Sequence, residues 1–297
     1  MKSEAEWQLV LVLWGTKYGV TEVSQLLETI EHHSSRPFRT VLITDRPRKD
    51  LPDRILQREF PEFYCKEEMR TSGCLAKLAM FEGGVVPQDL PAIYVDIDTV
   101  ILGDLSKLLS IFTAENSVFM LKGAMIPIGA IGRCLWRMTK KRRYARGNSS
   151  VVIYHPKATA YIADQFKELF VVNSRDNFRP LWADDRFISW VAQEQLRVIP
   201  RNLAVKFPAE FMLPWAWLIY LRAALPWTKV RWKNLLVVTL PGVEVNGQDL
   251  LALPDGSSIK DRRGRRLIWS RKAIGPMKKK LTDYYSALDA REEESKQ

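Results

Sequence analysis

Asp96 and Asp98 are the residues whose type and spacing most invite chemistry. They close the apolar run Ala92-Ile93-Tyr94-Val95 and stand one residue apart in Asp96-Ile97-Asp98-Thr99-Val100. A short apolar run bounded by turn residues reads as a buried strand. Side chains alternate along a strand, so a strand carried through Asp98 points both carboxylates one way and Ile97 the other. Two neighbouring carboxylates at the rim of an apolar strand repel, and one takes up a proton unless a cation holds both charged. Oxygen ligands suit a hard divalent ion, and Mg²⁺ is usually bound by one or two carboxylates together with substrate phosphates. Mn²⁺ or Mg²⁺ is therefore the cofactor expected at Asp96 and Asp98. The plainer alternative is a strand that ends in Asp-rich turn residues.

Strands and helices alternate around this segment. Residues 8–14 read as the first strand, and Thr21 as the cap of a helix that carries Val23, Leu26, Leu27 and Ile30 at helical spacing. Residues 39–44 form a second strand closed by Asp45, and Ser72 caps a helix over 75–81. The strand over 92–96 follows, then strands over 118–121 and 148–154, helices over 159–170 and 184–191, and a last strand over 235–240. Asp184 is placed to cap the 184–191 helix, an alternative to any catalytic role. This alternation implies an α/β fold, a mainly parallel mixed sheet covered on both faces in three αβα layers. Ligands of such sheets sit outside the carboxyl ends of the strands, where Thr16, Asp45, Asp98 and Asn148 fall.

Tyr94 to Leu105, with its Asp-x-Asp and following Gly103-Asp104-Leu105, resembles the corresponding segment of GT-A fold glycosyltransferases, especially the glycogenin-like and bacterial galactosyltransferase-like group. Other segments match in the same order across residues 7 to 245. Gly15-Thr16-Lys17-Tyr18 is similar to the family's first strand-to-helix turn, and Leu75-Ala76-Lys77-Leu78 to the helix before the Asp-x-Asp strand. Gly147-Asn148-Ser149-Ser150 resembles the strand that approaches the donor sugar, and Ala183-Asp184-Asp185 the acidic step beside the reacting carbon. The resemblance implies a single GT-A-like, Rossmann-like domain over 1–245 that transfers a sugar, with a hexose expected, from a nucleotide-diphosphate sugar such as a UDP-sugar to a glycan or glycolipid. It implies donor binding by Thr16, Tyr18, Lys77, Asp96, Asp98 and Asn148, metal binding by Asp96 and Asp98, and catalytic roles for Asp184 and Asp185. Lys77 reads equally as a solvated helix lysine. One departure stands out: Thr239 occupies the position where that group carries a metal-binding His.

Composition fits a globular enzyme: 297 residues, 46% of them hydrophobic, are enough for a sizeable core. Cys65, Cys74 and Cys134 are odd in number and lack CxxC spacing, which argues against a disulfide framework or zinc site and for reduced, buried thiols in a cytoplasmic protein. The acidic residues Glu4 and Glu6 precede the short apolar run at 9–14, which reads as a core strand rather than a secretory signal. His32, His33 and His155 read as loop or surface residues.

The formal net charge is +11, and ten cations lie between Lys260 and Lys280 against the single acid Asp261. Residues 246–297 therefore read as a basic C-terminal appendage with a frayed end, and Arg137, Lys140, Lys141, Arg142, Arg143 and Arg146 form a second basic cluster. With the aromatic segment around Trp215, Trp217 and Trp227, these suit an anionic acceptor or peripheral association with the inner face of a membrane; the alternative for the aromatic segment is a buried helix. A nucleic-acid partner is not expected, because no recognition motif accompanies the charge. Two rivals remain. Asp96-Ile97-Asp98-Thr99-Val100 also resembles the nucleophile strand of haloacid-dehalogenase-type phosphatases, although that strand normally opens its domain; and Thr239 allows a non-catalytic nucleotide-sugar-binding protein.

Overall fold

The computed structural model describes residues 4–71, 74–123, 126–173, 177–240 and 247–294. Along them run strands β1 (Trp7–Leu13), β2 (Phe38–Thr44), β3 (Ile55–Glu59), β4 (Ala92–Val95), β5 (Thr99–Ile101), β6 (Val118–Lys122), β7 (Gly147–Tyr154), β8 (Leu196–Val198), β9 (Ala204–Lys206), β10 (Val237–Thr239), β11 (Ser258–Lys260) and β12 (Arg266–Ile268). The chain divides into two compact units. The first comprises Met1–Val20, Ser35–Ile97 and Ser106–Ile199; the second comprises Thr21–Ser34, Asp98–Leu105 and Pro200–Gln297.

A seven-stranded sheet of order β3-β2-β1-β4-β7-β6-β8 carries the first unit. Four of its pairings are parallel (β1 with β2, β1 with β4, β2 with β3, β6 with β8), and β7 runs antiparallel between β4 and β6. This is the expected α/β class with a mainly parallel mixed sheet. Every residue of β1 is buried, as in a strand covered on both faces. Its one polar member, Gln8, is satisfied: Nε2 donates to the Pro87 and Leu90 carbonyls at 2.8 and 2.9 Å, and Oε1 accepts from Arg39. Val10, Val41, Tyr94 and Val152 from the sheet share one core with the 3₁₀ segment Leu75–Phe81 and the helices Tyr161–Val172 and Asp184–Val191. Phe166 stands among four rings in that core, with centroids 6.1 Å from Tyr64, 5.9 Å from Phe63, 5.5 Å from Phe170 and 5.0 Å from Phe187.

The sheet order determines where a ligand can enter. From β1 the chain passes to β2 on one side, while β4 pairs on the other, so strand order reverses between β1 and β4. A crevice at the carboxyl edge follows from such a reversal. Because β7 is antiparallel to β4, its first residues share that edge with the end of β4, where the Asp96 amide donates to the Ser150 carbonyl at 2.9 Å.

In the second unit β5, β10 and β9 form a three-stranded sheet, and β11 pairs with β12 as a hairpin. Phe207, Phe211, Trp232, Leu267, Trp269, Ile274, Met277 and Leu281 fill its core. Glu210 is fully buried there, accepting from Arg201 at 2.6 Å, from Arg231 and from the Trp232 indole at 2.7 Å. The helix Val20–His33 is tied to the last helix, Met277–Glu294, by Gln25 Nε2 donating to the Tyr284 carbonyl at 3.2 Å and by an ion pair between Arg291 and Glu28.

Several local expectations shift. The first helix starts at Val20, so Thr21 lies inside it. Ser72 lies outside the described residues, and the segment it was to cap is a 3₁₀ helix entered through left-handed Cys74 (φ 51°). The last strand of that pattern is only Val237–Thr239, and Pro241 and Gly242 lie outside the described residues. The boundary expected near residue 245 falls inside the second unit, because Leu267, Trp269, Met277 and Leu281 are buried in its core. Nor is the tail's charge all free: Arg265 pairs with Asp261, Lys278 with Asp255 and Lys279 with Asp283. The three cysteines are free, but exposed rather than buried, and His155 is buried.

Truncating the central rings should be costly in both units. Phe166→Ala and Trp269→Ala should each lower stability by about 3–5 kcal/mol in denaturant unfolding. A loss below about 1 kcal/mol for Trp269→Ala would mean that the C-terminal residues are not part of a packed core.

Candidate active site

Lys77 organises the site. It sits in the 3₁₀ segment Leu75–Phe81, every residue of which is buried. Its ammonium lies 2.8 Å from Asp96 Oδ1 and 3.1 Å from Asp184 Oδ2, and its side chain is only 7% exposed. Asp96 follows the last residue of β4. The Tyr94 hydroxyl, two residues back on the same strand face, donates to Asp96 Oδ1 at 2.5 Å. Asp184 opens the helix Asp184–Val191, and Ser149 Oγ of β7 donates to its Oδ2 at 2.6 Å. The carboxyl end of β4, the first residues of β7, one helix start and one 3₁₀ turn thus converge on a single ammonium.

The two carboxylates titrate in opposite directions. Burial alone would raise Asp96, but the Lys77 charge and hydrogen bonds from Lys77, Tyr94 and Ser150 hold it below the usual carboxylate range. Asp184 is pushed above that range, by burial first and by repulsion from Asp185 and Asp96, against the pull of Lys77 and Ser149. Burial opposes the charge on Lys77, yet Asp184 and Asp96 together raise it well above the ordinary lysine value. Two carboxylates facing one ammonium leave a negative excess at a site where Asp96 is 22% exposed. Such an arrangement attracts a further proton, a metal ion or the hydroxyl donors of a sugar.

The other expected residues are dispersed around this centre. Asp185, next to Asp184 on the helix, turns to a bidentate pair with Arg146, with contacts of 2.8 to 3.2 Å. Asn148 Oδ1 accepts from the Ser150 amide at 3.3 Å. At the end of β1, Gly15 adopts φ +66°, a conformation that favours glycine. Its amide donates to Asp45 at 2.9 Å, joining the ends of β1 and β2. Thr16 beyond it is exposed, and Lys17 lies over the Tyr18 ring at 4.7 Å. Asp184 does not cap its helix: the cap position is Ala183, and the carboxylate is committed to Lys77 and Ser149. Lys77 is a buried, paired residue rather than a solvated helix lysine.

Asp98 stands differently from the expectation. β4 stops at Val95, and Ile97 and Asp98 form a turn, so strand alternation does not carry from Asp96 to Asp98. The half-buried Asp98 belongs to the second unit, where its carbonyl accepts from the Leu240 amide at 3.2 Å. Thr239 is fully buried and pairs with Thr99 across β10 and β5. Among the described residues no group of three His, Cys, Asp or Glu side chains could hold a metal. Asp96 Oδ1 is already engaged by Lys77 and Tyr94. These residues fit a cation shared with a diphosphate and do not fit a cage that holds one unaided.

Sequence reasoning overlooked Tyr94, Ser149 and Arg146 as supports. Tyr94 was detectable, because position i−2 on a strand faces the same way as Asp96. The contacts of Ser149 with Asp184 and Arg146 with Asp185 span 35 and 39 residues, and no local pattern signals them.

No family model matches the sequence, and no curated protein matches it. Solved structures share its fold. An active-site variant of LgtC superposes with a TM-score of 0.56 at 10% identity, covering 94% of this chain and 95% of that one. The galactosyltransferase LgtC in complex with donor and acceptor sugar analogues gives 0.55 at 11% identity, with the same coverage. The apo form of the bifunctional glycosyltransferase WbbM gives 0.52 at 13% identity over 80% of this chain, which spans 46% of WbbM. At these identities the likeness establishes the fold, a GT-A-like, Rossmann-like one.

Removing the central cation should unbalance the site. Lys77→Met leaves two buried carboxylates uncompensated and should cost about 3–5 kcal/mol at pH 7. The loss should shrink as pH falls and the carboxylates protonate.

Asp184 offers a complementary test. Its folded-state pKa is raised, so its bound proton stabilises the protein below the unfolded value of about 3.9, and this stability is lost as pH rises through the folded value. Asp184→Asn does not ionise and should gain stability relative to wild type between about pH 4 and 7. Urea midpoints across that range measure both variants, and a pH-independent difference for Asp184→Asn would contradict the assignment.

Proposed function

We propose that this protein is a glycosyltransferase that moves a sugar, a hexose in the simplest case, from a nucleotide-diphosphate sugar to a glycan or glycolipid acceptor. A UDP-sugar is the proposed donor. The observation that carries the reading is the convergence of Lys77, Asp96 and Asp184 at the carboxyl edge of the sheet, beside the strand-order reversal. That is where open α/β sheets bind their ligands, and the fold is one that solved glycosyltransferases share.

In this reading the donor's base lies toward Thr16 and Tyr18, and its diphosphate lies toward Asp96 and Asp98. Mn²⁺ or Mg²⁺, held by those two carboxylates together with the diphosphate, supplies Lewis-acid stabilisation of the departing nucleotide. The chain's own residues do the rest. Lys77 keeps Asp96 ionised and ready for a cation, with Tyr94 and Ser150 fixing its orientation. Asn148, at the start of β7, is proposed to face the donor sugar. Asp184, whose affinity for a proton is raised, is proposed to orient or deprotonate an acceptor hydroxyl. Arg146 holds Asp185 beside it.

Titration calorimetry of UDP with and without Mn²⁺ tests the donor assignment. Wild type should bind more tightly with metal, and Asp96→Asn and Asp98→Asn should each weaken the metal-dependent affinity by at least tenfold. Equal affinity in wild type and Asp98→Asn at saturating Mn²⁺ would refute metal assistance through Asp98. Nucleotide-sugar binding without transfer or hydrolysis would select a non-catalytic binding protein instead. Phosphate release from a phosphomonoester would select a phosphatase.

A further inference from the structure

In the second unit the consecutive helices Ala216–Ala224 and Pro226–Lys233 bury one face and leave the other open. Ile219, Ala223, Thr228 and Trp232 point into the core. On the open side Trp215, Trp217 and Trp227 are 61%, 62% and 64% exposed, accompanied by exposed Tyr220, Leu221 and Val230. Single exposed apolar residues need no explanation, but six large ones within sixteen positions form a patch that marks an interaction surface.

A cavity of about 770 Å³ lies within the same unit. Tyr220 and Trp232 form its apolar wall, and Lys229, Lys233, Arg271 and Lys272 supply its charge. No acidic residue lines it. All four cations are exposed, and among the described residues none has a carboxylate partner. Their neighbours differ: Arg201 and Arg231 are committed to Glu210, Arg265 to Asp261 and Lys278 to Asp255. Lys229 and Lys233 thus share a helix with exposed Trp227, and with Arg271 and Lys272 they line the cavity as cations without a carboxylate partner among the described residues.

We propose that this face seats the protein on an anionic phospholipid bilayer. A lipid phosphate lies among Lys229, Lys233, Arg271 and Lys272, and Trp215, Trp217 and Trp227 sit at headgroup depth. Charge complementarity selects an anionic occupant, since four cations are unpaired and no acid is present in the cavity. The aliphatic members select a bilayer over nucleic acid. Leu221 and Val230 offer bases no stacking surface, whereas they partition with tryptophan into the boundary between headgroups and acyl chains. Among the described residues no helix is long and apolar enough to cross a membrane, and these two have nine and eight residues. Attachment is therefore by the surface. The proposal assigns membrane contact to this face rather than to the C-terminal charge at large, and it does not depend on glycosyl transfer.

Co-sedimentation of the full chain with vesicles tests it, using phosphatidylcholine alone or mixed with phosphatidylglycerol. Wild type should pellet with the mixed vesicles at low salt, bind phosphatidylcholine at least tenfold more weakly, and release as ionic strength rises past about 0.15 M, where the Debye length is about 8 Å. The double variant Trp217→Ser/Trp227→Ser should lose at least tenfold in apparent affinity, as should Lys229→Glu/Lys272→Glu. UDP affinity serves as the control. These variants should leave it unchanged, so failure of the donor assignment and failure of this one are read separately. Should wild type ignore anionic vesicles, or should either folded variant bind them as wild type does, the proposal is wrong. Binding of single-stranded DNA that the same variants abolish, without vesicle binding, would assign the face to nucleic acid and equally overturn it.

Discussion

The site depends on one buried ammonium. The Lys77 side chain is almost fully buried, and its charge is tolerable because Asp96 and Asp184 meet it. In the low dielectric of the interior, an uncompensated charge costs several kcal/mol, and its neighbours are then chosen by necessity. Asp96 is charged because Lys77, Tyr94 and Ser150 all donate to it, and Asp184 holds its proton more tightly because burial and the neighbouring Asp185 and Asp96 charges outweigh the pull of Lys77. Position, protonation and electrostatic character thus follow from a single contact. The fully buried 3₁₀ segment fixes that contact from the backbone, since Lys77 has packed apolar neighbours on both sides in sequence.

Much of this was legible in the chain. The apolar run before Asp96, the helix at Asp184 and the strand beginning near Asn148 stand where sequence patterning puts them, because burial enforces those patterns. What escaped was decided over distance. Ile97 and Thr99 continue the alternation of β4, yet the chain turns after Val95, and β5 pairs with β10 instead. No local rule separates a strand that continues from one that transfers to another sheet. Asp184 looked like a helix cap because its type and place are right for one, and Lys77 and Ser149 took its carboxylate instead.

The C-terminal region shows the opposite error, in which composition hid structure. Its density of Arg and Lys reads as a solvated extension, although Met277, Leu281, Tyr285 and Leu288 recur at helical spacing and are all buried. Long cationic side chains tolerate this, since they cover apolar surface with their stems while the charge remains in water or meets an acid. Glu210 works the same principle from within, drawing Arg201 and Arg231 onto a fully buried carboxylate. A count of charges therefore says little about which are available to a partner.

The ammonium and its two carboxylates come from three stretches of chain far apart in sequence. Bringing them together requires the closure of long loops, and contacts of that kind generally form late and slowly. A chain that has formed β4 but not yet docked the Asp184–Val191 helix has one cation for one carboxylate and no negative excess. The electrostatic signature that would draw a ligand is thus absent until the first unit is complete. The negative excess is therefore a property of the assembled unit, carried by no single segment of it.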